Sequence, residues 1–163
     1  MTDTLATPVE PIQPTPADTL RHAALYLRRH GWTQGVYYAR RNVNEVTGEA
    51  SPNPTPSVCA LGAIAMATYG RPVDYPFNPG HIDADVFRYT SEVLRDHLEL
   101  HVFGPPEHWW EDRATVEDWN DHHAVSIDEI IETLEAAAHE WDSFNGIPTA
   151  PDTATEHTSG GAE

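Results

Sequence analysis

The sequence predicts an all-α fold: a small compact helical bundle of four main helices and a short Trp-rich helix, with one long loop and disordered ends. Three observations carry that reading. Apolar residues recur at helical spacing in separate windows, three of them opened by a capping residue (Thr15, Ser57 and Ser126). Proline falls between those windows or at their first position, where it is tolerated. The length of 163 residues fits one domain, and five tryptophans supply bulk for its core. No internal repeat is present, and β content is expected to be minor.

Residues 1–15 hold Pro8, Pro11 and Pro14 among scattered Thr, lack periodicity and are expected to be disordered; 146–163 read the same way. The single helical domain is therefore 16–145. Its first helix starts at Pro16. Thr15 caps it, and Asp18 stands where a capping box needs an acceptor. Leu20, Ala23, Ala24 and Leu27 form the apolar stripe. Arg28, Arg29 and His30 complement the negative C-terminal end, and Gly31 stops the helix. Trp32 to Arg41 follows, and then a Pro/Asn/Gly-rich loop to Pro56 with a short hairpin around Val43 to Val46.

The second helix is expected from Val58 to Tyr69, with Ser57 as its cap and Gly70 past its end. Cys59, Ala60, Gly62, Ala63, Ala65 and Ala67 make it small-residued and apolar nearly all round, which predicts the central, buried helix. Gly62 lowers helix stability by about 1 kcal/mol relative to Ala, so a close ring or backbone is expected against it. The third helix runs from Ala84 to His101, with Val86, Tyr89, Val93, Leu94, His97 and Leu98 inward, and Gly104-Pro105-Pro106 ends it. Glu107 to Asp121 is the short Trp-rich segment. The last helix opens with Ser126 and Glu129 as a capping box and Val125 stapled onto Ile130. Ile127, Ile130, Ile131, Leu134, Ala137, Ala138 and Trp141 face inward.

The formal net charge is −17, with nine basic residues, all of them Arg. Absence of Lys removes Schiff-base and Walker-type lysine chemistry. The charge is uneven: Met1 to Arg88 carries a net −1 and Tyr89 to Glu163 a net −16. Such a field repels nucleic acid and anionic membrane, and it attracts a protein with a basic surface. The longest near-apolar run, Val58 to Ala67, is about half of the ~20 residues a membrane span requires. No basic start with an apolar stretch marks a secretory signal, and Cys59 alone forms no intrachain disulfide. The expected location is cytoplasmic.

Candidate chemistry is sparse. Cys59 near a helix N-terminus has the setting that activates a thiol. Gln34, Cys59, His97 or His101, and Asn120 follow one another in the order of papain-like enzymes, without the usual sequence around the nucleophile. The plainer reading of Cys59 is a small buried hydrophobe aligned with Gly62, Ala63 and Met66. His97 and His101 have the four-residue spacing of a two-histidine metal pair, but no spacing singles out a third ligand among His108, Asp121, His122 and His123. No cofactor and no metal is assigned. Asp121-His122-His123 also spells a phosphoesterase motif, but the further Asp motifs of that class are missing.

The candidate binding residues are Trp32, Gln34 and Arg40 in the aromatic–Arg segment, Trp109, Trp110 and Trp119 as an aromatic wall, and Asn120 and Asp121 beside it. Against a binding role for the arginines stands their pairing with acids of the C-terminal half; against one for the tryptophans stands core packing.

Three segments read together add a resemblance. Gly31-Trp32-Thr33-Gln34-Gly35, Cys59-Ala60-Leu61-Gly62-Ala63 and Trp119-Asn120-Asp121, in this order between Leu20 and Trp141, resemble a family of short actinobacterial and actinophage proteins of unknown function. The resemblance implies a bacterial or phage cytosolic setting and carries no catalytic residues. The leading expectation is a non-enzymatic, acidic protein-binding module, fitted in a phage setting to a basic groove of a host protein. The rival is a small thiol-dependent hydrolase or transferase using Cys59 with His97 or His101.

Overall fold

Thr15 opens the first helix as its sequence requires. In the computed structural model, which describes residues 13–39, 41–43, 50–104 and 115–148, α1 spans Pro16–His30. Asp18 N–H donates to Thr15 Oγ1 at 3.1 Å, and Thr15 N–H donates back to Asp18 Oδ2 at 3.1 Å. Two of the orphan donors at the helix start are thereby satisfied. Ala17, Leu20, Ala23, Ala24 and Leu27 are buried along one face. Gly31 ends the helix at φ +87°, with its N–H donating to Leu27 O at 2.9 Å.

The connection to the second helix contains one antiparallel pair, β1 (Arg41–Val43) with β2 (Ala50–Pro52), in register Arg41 with Pro52 and Val43 with Ala50. The chain then runs extended through Val58, which bridges to Trp32 on one side and Tyr38 on the other. Thr33 N–H donates to Val58 O at 3.0 Å, and Cys59 N–H donates to Tyr37 O at 3.2 Å. Because the Val58 carbonyl is taken by Thr33 N–H and Cys59 is extended, α2 begins later than its sequence suggests, at Ala60, and runs to Tyr69. Cys59, not Ser57, is its N-cap. Gly70 closes it at φ +68°, as expected.

Seven successive residues, Ala60 to Met66, are buried, so α2 is the central helix its composition predicts. It packs on α1 and on α3 (Ala84–Leu98), while α1 lies along α5 (Ile127–Phe144). The inward face of α3 is rotated from the expected one. Phe87, Ser91, Leu94 and Leu98 are buried, whereas Tyr89 is exposed. Ser91 is admitted to the core because its hydroxyl donates to Phe87 O at 2.8 Å, so its own polar atom is satisfied. Beyond Leu98 the chain continues for one π-helical stretch, Glu99–Phe103.

The Trp-rich segment is described from Thr115 onward: α4 (Val116–Asp118) leads into a second π-helical stretch, Trp119–His123. Ser126 caps α5 by accepting from Glu129 N–H at 3.2 Å, but the Glu129 carboxylate takes Val125 N–H at 2.9 Å, which leaves the Val125 side chain exposed instead of stapled onto Ile130. Ile130, Ile131, Leu134, Ala137 and Ala138 are buried as expected. The architecture is all-helical apart from the β1–β2 pair. Among the described residues no helix is long and apolar enough to cross a membrane. Most of the end segments 1–15 and 146–163 lies outside the described residues.

Candidate functional site

The three sequence segments that stood out converge on one side chain, Asn120. Its Oδ1 accepts from the indole Nε1–H of Trp32 and from Ala60 N–H, each at 2.9 Å. Its Nδ2 donates to Asp121 Oδ1 at 2.7 Å and to Thr33 O at 3.4 Å. Gln34 Nε2 donates to Asn120 O at 2.9 Å, and Gly35 N–H donates to Asp121 Oδ1 at 3.0 Å. A buried amide has four hydrogen-bonding positions to satisfy, and here each is used inside the fold.

This arrangement corrects the sequence reading of several binding candidates. Trp119 and Asn120 are buried, each about 1% exposed, so neither presents a face to a partner. Trp32 is half-buried with its indole N–H already spent, and Gln34 and Asp121 serve the same junction. Arg40, Trp109 and Trp110 lie outside the described residues. Two other arginines are paired within the domain: Arg21 with Asp142, and Arg28 with Glu135 at 2.6 Å.

Cys59 is buried, and its Sγ accepts from Gly62 N–H at 3.3 Å as the cap of α2. Burial pushes the thiol up to about 11, outweighing the Gly62 and Leu61 amides that pull it down. A thiol so held is almost wholly protonated near neutrality, so this geometry gives no support to the nucleophile reading. The catalytic grouping of Cys59 with His97, His101 and Asn120 is not assembled: both histidines are turned to α5, and Asn120 is committed to Trp32 and Ala60.

His97 and His101 do come together. Their rings lie 4.5 Å apart between centroids, and both reach the carboxylate of Glu140 on α5. His97 Nδ1 is 2.5 Å from Glu140 Oε2, and His101 Nε2 is 2.8 Å from Glu140 Oε1. Burial pushes the Glu140 carboxyl up, but the hydrogen bonds from His101 and His97 outweigh it and hold the group below its ordinary value. The sequence missed Glu140 because a carboxylate thirty-nine residues beyond His101 looks like any other acid on a solvated face. Only the packing of α5 against the end of α3 selects it. Among the described residues, none of the expected third ligands Asp121, His122 and His123 joins this group, and His108 lies outside the described residues; His122 and His123 sit instead beside Asp118, at 3.1 and 3.3 Å.

Next to this cluster lies a groove of about 320 Å³ between α3 and α5. Its walls include Tyr89, Leu100 and Phe144, which are 52%, 61% and 80% exposed, and its polar lining includes Glu92, Asp96 and Glu140. Apolar side chains are thus exposed in one groove among carboxylates.

Fold and surface together define a small helical domain knit by a buried amide junction, with an acidic, partly apolar groove on one side. The chain belongs to a family of unknown function (DUF6197), whose sequence model matches residues 11–140. Searches of curated proteins and of solved structures found no match.

Proposed function

We propose that this chain is a non-enzymatic protein-binding domain of a bacterium or phage, acting in the cytoplasm on a partner with a basic surface. The observation that carries the reading is the α3–α5 groove, where Tyr89, Leu100 and Phe144 are exposed alongside Glu92 and Asp96. Exposed aromatic and aliphatic groups supply the contact area that anchors an interface. The carboxylates around them favour a cationic approach and reject nucleic acid and anionic lipid. The net −16 from Tyr89 onward extends that preference over the half of the sequence that contributes most of the groove.

The test compares wild-type protein with two variants as bait in an actinobacterial lysate. Phe144→Ser removes the apolar anchor, and Glu92→Gln/Asp96→Asn removes rim charge. The reading expects a partner held by wild type, released by salt and lost by both variants. A partner held equally by wild type and variants, or held unchanged at high salt, overturns it.

A further inference from the structure

We propose that His97, His101 and Glu140 form a binding site for one divalent first-row transition-metal ion, with Zn²⁺ the ion best matched to the donor set. Two imidazoles and one carboxylate from two packed helices make the ligand set of an open zinc site, with the fourth position left to water. One ligand atom from each of the three side chains lies within 4.8 Å of the others. A tetrahedral ion with bonds of about 2.0–2.1 Å places its ligand atoms roughly 3.3 Å apart. The carboxylate now sits 2.5 and 2.8 Å from the two ring nitrogens. To admit the ion the carboxylate has to draw back by less than about 1 Å, and ligand atoms that now lie up to 4.8 Å apart have to close toward the same spacing.

The local backbone favours this convergence. The α-helix ends at Leu98 and the π-helical stretch Glu99–Phe103 begins between the two histidines. The wider π turn alters the direction in which His101 projects, and such stretches recur at functional sites. The two rings end up 4.5 Å apart and 46° from parallel, with both nitrogens aimed at one carboxylate.

Exposure is graded across the cluster. The side chains of His97 and Glu140 are 11% and 22% exposed and hold the inner side, whereas His101 is 47% exposed and forms the outer one. An ion can therefore enter from solvent without opening the core, and a water can complete its coordination. The chain's negative field draws cations toward it. On entry, each N–H···O bond to Glu140 is replaced by a nitrogen–metal bond, and a neutral ring carries its proton on the opposite nitrogen. This site needs no partner protein and stands independently of the binding reading above.

The experiment uses the full chain, stripped with a chelator and titrated calorimetrically with Zn²⁺, then with Co²⁺ followed by visible absorption. One ion per chain is expected, with Co²⁺ bands of low coordination number and a rise in melting temperature at saturating Zn²⁺. His101→Ala, at a half-exposed position that does not hold the core, is expected to weaken binding by about 100-fold or more, as is Glu140→Gln. The double variant His122→Ala/His123→Ala is expected to bind like wild type. Absence of stoichiometric binding to the stripped chain overturns the proposal, as does binding that survives His101→Ala and Glu140→Gln. Binding lost in the His122/His123 variant instead overturns it equally.

Discussion

The indole N–H of Trp32 donates to Asn120 Oδ1 at 2.9 Å, across eighty-eight residues of sequence. The same oxygen takes the first backbone N–H of α2, from Ala60. One amide thus fastens the segment after α1, the start of α2 and the turn before α5. Asn120→Ala strands both donors in a buried site, and each lost partner costs roughly 1–3 kcal/mol. A destabilisation of about 3 kcal/mol or more is expected, read as a fall in the urea midpoint. Asn120→Asp keeps the acceptor but sets a second carboxylate where Nδ2 now lies 2.7 Å from Asp121 Oδ1, so it is expected to be no milder. A midpoint within experimental error of wild type for Asn120→Ala would show that the junction contributes nothing.

Gly62 gives a second, sharper expectation. A Cβ built on it lies 2.1 Å from Tyr37 O, inside any permitted contact. Helix propensity alone predicts that Gly62→Ala stabilises α2 by about 1 kcal/mol. The clash reverses the sign, because the obstacle is backbone held by Cys59 N–H at 3.2 Å and is not a side chain free to swing away. A net loss of several kcal/mol is expected, on the scale of overpacked cores, measured by thermal or urea denaturation. A stabilised Gly62→Ala protein would mean that the Tyr37 segment yields readily.

The two α1–α5 ion pairs are expected to differ. Asp142 is about 5% exposed on its side chain and Arg21 about 43%, whereas Arg28 and Glu135 are both about half exposed. Arg21→Ala leaves a buried carboxylate without its cation, and a cost of about 1–3 kcal/mol is expected after allowance for the solvent on the Arg21 side. Arg28→Ala is expected to cost less than about 1 kcal/mol and to matter less still in high salt. Equal losses from the two single variants would refute the distinction drawn from burial.

How much of this was legible beforehand follows from how local each signal is. Thr15 with Asp18, Gly31 at the end of α1 and the apolar run of α2 act within a few residues, and all three were readable. Gly62 announced a close neighbour, though not which one. The start of α2 was misplaced because Val58 is bridged between two extended segments, its carbonyl taken by Thr33 N–H, a tertiary commitment invisible in a one-dimensional pattern. The α3 face was misread because Ser91 counts as polar until its hydroxyl is seen donating to Phe87 O. Glu140 was missed for the same reason: nothing near it in sequence marks it as the carboxylate that meets His97 and His101. Trp119 and Asn120 were noticed correctly as unusual, but their polarity and aromaticity are used up inside the fold.

Cys59 supplies the last expectation, and its sign follows from burial. Its folded value is raised from 9.0 to about 11, so folding favours the protonated thiol. The associated stability is fully present below about pH 9 and is lost as the pH rises through about 11. A shift of that size leaves about 100-fold less thiolate in the native protein than in the unfolded chain at the same mildly alkaline pH. Alkylation of the native protein at pH near 8 is therefore expected to be slower than alkylation in urea by at least about that factor, since burial adds a barrier of access. Native alkylation as fast as in the unfolded chain would restore the thiol as a candidate nucleophile, because it would require an accessible thiolate at a position where the fold places a capped, buried sulfur.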